Sequence, residues 1–99
     1  MRERAVHLGI LVLDLFLPFS SSLKDKRQVI RSITDRARSR HSVSTAEVGF
    51  QDLLQRASIA FAVVASTPTV INKIFDAVLD DVEREVPGSV SIVEREILE

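Results

Sequence analysis

The chain of 99 residues reads as an α+β fold of order βαββαβ, a four-stranded antiparallel sheet with two helices on one face. Three observations predict it. The first apolar run alternates with period two, two later stretches repeat with helical period behind Ser and Thr caps, and Pro or Gly stands at most of the breaks.

Ala5 to Leu17 carries two alternating sets, Leu11, Leu13, Leu15 and Leu17 against Leu8, Ile10, Val12, Asp14 and Phe16. This is a strand with both faces largely apolar, and Pro18 ends it. Ser22 is the expected N-cap of the first helix, with Asp25 three residues on at capping-box spacing. At about 100° per residue Leu23, Ile30, Ile33 and Ala37 converge on a core face, with Thr34 beside them. Lys26 falls inside that apolar arc, so its stem is expected to pack at the sheet edge and its ammonium to reach out, or to neutralise Asp14 or Glu47.

Ser42 to Val48, SVSTAEV, has the composition of a half-exposed second strand. Gly49 to Ala57 is a connection, and Ser58 to Ser66 a third strand with Ile59, Phe61 and Val63 on one face and Ala60 and Ala62 on the other. Thr67 and Pro68 open the second helix, whose buried stripe is Ile71, Ile74, Phe75, Val78 and Val82. Asp76, Asp80, Asp81, Glu83 and Glu85 lie off that stripe. Pro87 and Gly88 turn the chain into a last strand, Ser89 to Leu98. Two such halves close as one domain over residues 1–99 in the ferredoxin-like arrangement.

One face of this sheet has no helix over it. The first-strand residues expected there, Leu8, Ile10, Val12 and Phe16, are too apolar for open water, so a homodimer or partner surface is expected unless the termini cover them. Absence of Cys excludes disulfides, thiolate nucleophiles and Cys-ligated zinc, and fits a cytoplasmic protein. Arg2 and Arg4 before an apolar run resemble a secretory signal, but Asp14 interrupts the run and no small-residue cleavage pattern follows. At about fifteen residues the run is also too short to span a bilayer.

The charge is unevenly placed. Residues 1–60 hold ten basic and six acidic side chains, a balance of +4, and residues 61–99 hold three and eight, a balance of −5. Such a dipolar chain can steer an anionic partner to one end, although a net charge of −1 argues against indiscriminate coating of nucleic acid. With no Trp or Tyr and five Phe, stacking platforms are few.

The ordered motifs SLKDKR after a strand ending in LP, then SVSTAEV, QDLLQRA and VEREIL, resemble the YlxP-like family of small bacterial proteins over nearly the whole chain. The resemblance implies a ferredoxin-like fold and no assigned activity. It also implies genes that lie beside translation-initiation and ribosome-maturation factors, which points to ribosomal RNA or a ribosome-linked protein. The family usually carries Trp where this chain has Leu54, which removes stacking at that position.

Ser22 to Arg40 contains seven Lys or Arg and two Asp. Lys24, Arg27, Arg31 and Arg38 share one flank of the helix, and with Lys26 and Arg56 they form the candidate RNA or anion site. A solvated helix face accounts for the same charges, since Arg36, Arg38, Arg40 and His41 lie in the last turns, where cations offset the helix dipole. In the connection, Phe50, Leu53 and Leu54 beside Gln51, Asp52, Gln55 and Arg56 read as an internal cap folded under the sheet edge or into a dimer, or as a binding loop. Gln51 and Asp52 therefore join the candidate partner surface.

No catalytic constellation emerges. Ser21 and Lys24 have S-x-x-K spacing in a chain far too small for the enzymes that use it. His7 and His41 have no second ligand at metal spacing. Glu94 and Glu96 share a strand face as a pair of catalytic carboxylates would, but Arg95 and Glu99 make that segment a charged edge. The glycines at 9, 49 and 88 form no phosphate cradle, so neither metal nor cofactor is expected. Glu47 or Asp52 would serve a small enzyme only as a remote alternative.

Overall fold

The computed structural model describes residues 3–98, so Arg2 and Glu99 lie outside it. The elements are β1 (His7–Phe16), α1 (Leu23–Arg40), β2 (Ser44–Gly49), β3 (Arg56–Ala65), α2 (Pro68–Glu85) and β4 (Val90–Leu98). One antiparallel sheet of order β2-β3-β1-β4 carries both helices on the same side, the expected ferredoxin-like arrangement.

The core lies between sheet and helices. Leu11, Leu13, Leu15 and Leu17 from the first strand and its end meet Ile59, Phe61 and Val63 of β3, and Ile30, Ile33, Ala37, Ile71, Phe75, Val78 and Val82 close over them. Gly9 sits under α2, where a Cβ would run into Ile71 and come within 2.9 Å of the Phe75 ring. The absent side chain is what lets the helix seat there.

Helix starts follow their caps. Ser22 Oγ accepts from the Asp25 backbone N–H at 3.0 Å, and Thr67 Oγ1 from that of Val70 at 3.3 Å. The reciprocal leg of the first box is displaced by one residue. The Asp25 carboxylate accepts from the Ser21 hydroxyl at 2.8 Å and the Ser21 N–H at 3.3 Å, not from Ser22, because the chain enters the helix with Ser21 alongside. Those bonds hold the Asp25 carboxyl below the ordinary carboxylate range.

Bulges set the two outer strands. Val12 pairs with Glu94 and Leu13 with Ile92, leaving Val93 as the extra residue. Directly opposed residues share a face, so Arg95 joins Leu11 on the helix side and Glu94 and Glu96 join Val12 and Ile10 on the open side. Arg95 pairs with Asp76 at 2.9 Å, donates to the Asn72 carbonyl oxygen at 3.3 Å and lies over Phe75, tying the β4 edge to α2. Arg95 is itself exposed on this outer strand between the exposed Glu94 and Glu96, and adds a surface tie to α2.

Candidate functional site

Seven basic residues of α1 sort into two groups. Lys26, at 2% exposure, belongs to the interior. Its Nζ donates to the carbonyl oxygens of Phe50 at 2.7 Å and Leu53 at 2.8 Å, with that of Gln51 at 3.4 Å and the Glu47 carboxylate at 3.1 Å. Of the two carboxylates open to it by sequence, Glu47 is the partner; Asp14 pairs instead with Arg56 at 3.7 Å. A buried ammonium with this many acceptors has no share left for a phosphate, and Lys26 leaves the candidate anion site.

Arg36 and Arg40 turn toward α2. Arg36 lies 3.9 Å from Glu85, and Arg40 3.3 Å from Asp81, which also meets His41 at 3.0 Å and Arg84 at 3.5 Å. Two of the acids placed off the apolar stripe of α2 therefore bind α1 across the helix pair. Burial pushes the Asp81 carboxyl up, but the His41 hydrogen bond and the charges of Arg40, His41 and Arg84 outweigh it and hold the group below the ordinary carboxylate range. A carboxyl depressed in the folded state stabilises above its unfolded pKa of about 3.9, and that contribution disappears as pH falls through the lower folded value. Asp81→Asn should accordingly flatten the acid limb of stability against pH, measured by urea unfolding from pH 6 down to pH 2; an unchanged limb would show that the cluster is not coupled to folding.

Arg38 reaches the sheet edge, donating to the Thr45 carbonyl oxygen at 3.1 Å and pairing with Asp35 at 3.4 Å. Gln51 covers the next outward carbonyl of the same strand, donating to the Glu47 oxygen at 3.1 Å. These two side chains cap the outer rim of β2, which otherwise offers a template to another strand. Arg38 and Gln51 thus have structural work at this edge, while Asp52 is exposed.

Lys24, Arg27 and Arg31 remain. All three are exposed, and none makes an ion pair or side-chain hydrogen bond among the described residues. They run along the flank away from α2, the side on which Arg38 reaches β2. Helical periodicity puts them on one flank, but which cations the fold consumes depends on contacts with residues 7 to 49 positions away.

The connection between β2 and β3 lies beside the start of α1, because Lys26 holds its carbonyls. Phe50 adopts φ +58°, a left-handed backbone unusual for a large side chain, and the Arg56 guanidinium stacks over its ring at 4.2 Å. Leu53 and Leu54 do not fold under the sheet as an internal cap; they are 48% and 41% exposed. With Phe16, Gln55 and Arg56 they line an open hollow of about 370 Å³ at the end of the uncovered sheet face. The clamp on the loop carbonyls turns its apolar side chains outward.

Remaining candidates dissolve into structure. The Ser21 hydroxyl is bonded to Asp25, Glu47 is held by Lys26, and His41 faces Asp81. Among the described residues no three His, Cys, Asp or Glu side chains gather as a metal site. No helix is long and apolar enough to cross a membrane.

Residues 8–96 match a family described as a protein of unknown function, DUF503. The chain is 33% identical over 72 residues to the uncharacterized protein YlxP of Bacillus subtilis (strain 168), covering 73% of this chain and 78% of that protein. Among solved structures it is similar to the de novo designed protein Foldit4, with a TM-score of 0.54 at 12% identity, covering 94% of this chain and 93% of the other. That likeness concerns the fold alone.

Proposed function

The chain belongs to the DUF503 family of proteins of unknown function, and we propose that within it this protein is a non-catalytic RNA-binding accessory factor associated with the ribosome. Three cations without partners among the described residues, on one flank of α1, carry this reading. Four of the seven basic side chains of that helix are engaged by the fold, and those left over, Lys24, Arg27 and Arg31, form a row along which a phosphate backbone can lie. The gene neighbourhood implied by the family resemblance makes ribosomal RNA the first ligand to test.

Such binding is electrostatic and modest. Three phosphate contacts to single-stranded RNA give a slope of about −2 in log affinity against log salt, from roughly −0.7 per contact. Changing Lys24, Arg27 and Arg31 together to Ala should flatten the slope to near zero and abolish recovery of ribosomal RNA from lysate at low salt. Recovery that survives both nuclease and this triple change would refute the reading. The fold should be retained, since none of the three makes an ion pair or side-chain hydrogen bond among the described residues.

A further inference from the structure

The uncovered sheet face has a relief that suits a second copy of itself, and we propose that the protein is a two-fold homodimer packed sheet against sheet, with the axis along the strands between β1 and β3. Across β1 and β3 on this face Ile10 stands opposite Ala62 and Val12 opposite Ala60. Large side chains on one strand thus lie beside small ones on the next, forming a ridge next to a trough of about 300 Å³ bordered by Ile10, Ala46, Ala60 and Ala62. A rotation about an axis between the two strands lays β1 of one copy over β3 of the other. Ile10 then enters the partner copy's trough at Ala62, and Val12 sits over Ala60. At one end of the same strip Phe16 comes over the partner copy's Arg56, its register mate in each monomer.

Area supports this occupant. Strands of 10, 6, 10 and 9 residues, at ~4.8 Å spacing and ~3.3 Å rise, present roughly 550 Å². Two such faces bury roughly 1,100 Å², above the about 1,000 Å² that a biological interface must clear. Composition agrees. The strip is apolar at its centre and charged at its margins, with Glu94 and Glu96 on β4 and the Arg56–Asp14 pair at one end, which is the anatomy of an interface core with a polar rim. The apolar side chains near the two ends of the strip are exposed in the single chain, Val64 by 69% and Phe16 by 54%, and Ile10 and Val12 between them are half-buried. Because α1 lies on the other side of the sheet, the dimer leaves Lys24, Arg27 and Arg31 in solvent, so this proposal and the RNA reading stand or fall separately.

Sedimentation equilibrium should give about twice the chain mass of 11.0 kDa at micromolar concentration. Ile10→Glu and, separately, Ala62→Glu should each weaken association at least about thirty-fold, the loss expected of a buried hot spot, with helical circular dichroism retained because neither residue belongs to the helix-covered core. The chain has no cysteine, so Ile10→Cys chains mixed with Ala62→Cys chains should give a mixed disulfide faster than either variant alone. A monomer at several hundred micromolar overturns the proposal. So does a dimer indifferent to both Glu variants, or mixed cross-linking no faster than self-cross-linking, which would place the interface elsewhere.

Discussion

Lys26→Met should lower the unfolding free energy by about 3 kcal/mol, at the lower end of the range for breaking a buried ion pair, because Glu47 is 24% exposed and keeps some water. The loss comes mainly from what the ammonium leaves behind. Glu47 Oε2 is buried with no hydrogen bond of its own, and the carbonyls of Phe50 and Leu53 lose their shared donor. For a domain of this size the melting temperature should fall by roughly 12 to 24 °C, at about 4–8 °C per kcal/mol. Adding Glu47→Leu should restore much of the stability, since replacing both partners with apolar groups removes the stranded charge. A single-variant loss under about 1 kcal/mol would mean that the loop does not depend on the clamp. In the Lys26→Met variant Phe50, held at φ +58° next to the lost clamp, should show faster amide exchange than the strands on either side.

Gly9→Ala should cost about 3 kcal/mol, the top of the range for overpacking. One methyl group would collide with the Ile71 side chain and approach the Phe75 ring, and both residues are fully buried with no room to withdraw. Relief requires α2 to lift off β1, which exposes the packing that the helix exists to bury. Gly88→Ala is the control, costing about 1–2 kcal/mol for the left-handed backbone alone. Its φ is +75° but a Cβ there meets nothing within 4 Å. Equal losses at the two positions, measured by chemical denaturation, would contradict the steric account.

Those two positions also show where sequence reading stops. Period two and period 3.6 mark β1, β3, α1 and α2 and their buried faces, because each pattern is local and burial selects it directly. Lys26 stands out as a charge in an apolar arc with a carboxylate in prospect, yet nothing local points to the carbonyls of the 50–53 loop. Gly9 stands inside the period-two run, where a glycine marks a bulge or a close approach, but nothing local says what crosses over it, since Ile71 and Phe75 are more than sixty positions away. Leu53 and Leu54 show the converse. Their composition fits an internal cap as well as a binding loop, and the carbonyl clamp turns them outward.

Edges follow the same logic. The alternation of β4 is visible in its residues, but the bulge at Val93 exists only in the pairing with β1, and it exchanges the faces of Arg95 and Glu94. Without it, Glu94 and Glu96 would join the helix side and Arg95 the open face.

For the basic helix, local patterning was enough to establish a capped amphipathic α1 with Lys24, Arg27, Arg31 and Arg38 on one flank, because caps and periodicity act within a few residues. Which of its charges remain available was settled by long-range contacts. Asp81 and Glu85 of α2 draw Arg40 and Arg36 inward, the rim of β2 takes Arg38, the loop takes Lys26, and a charge is free only where tertiary packing brings it no partner.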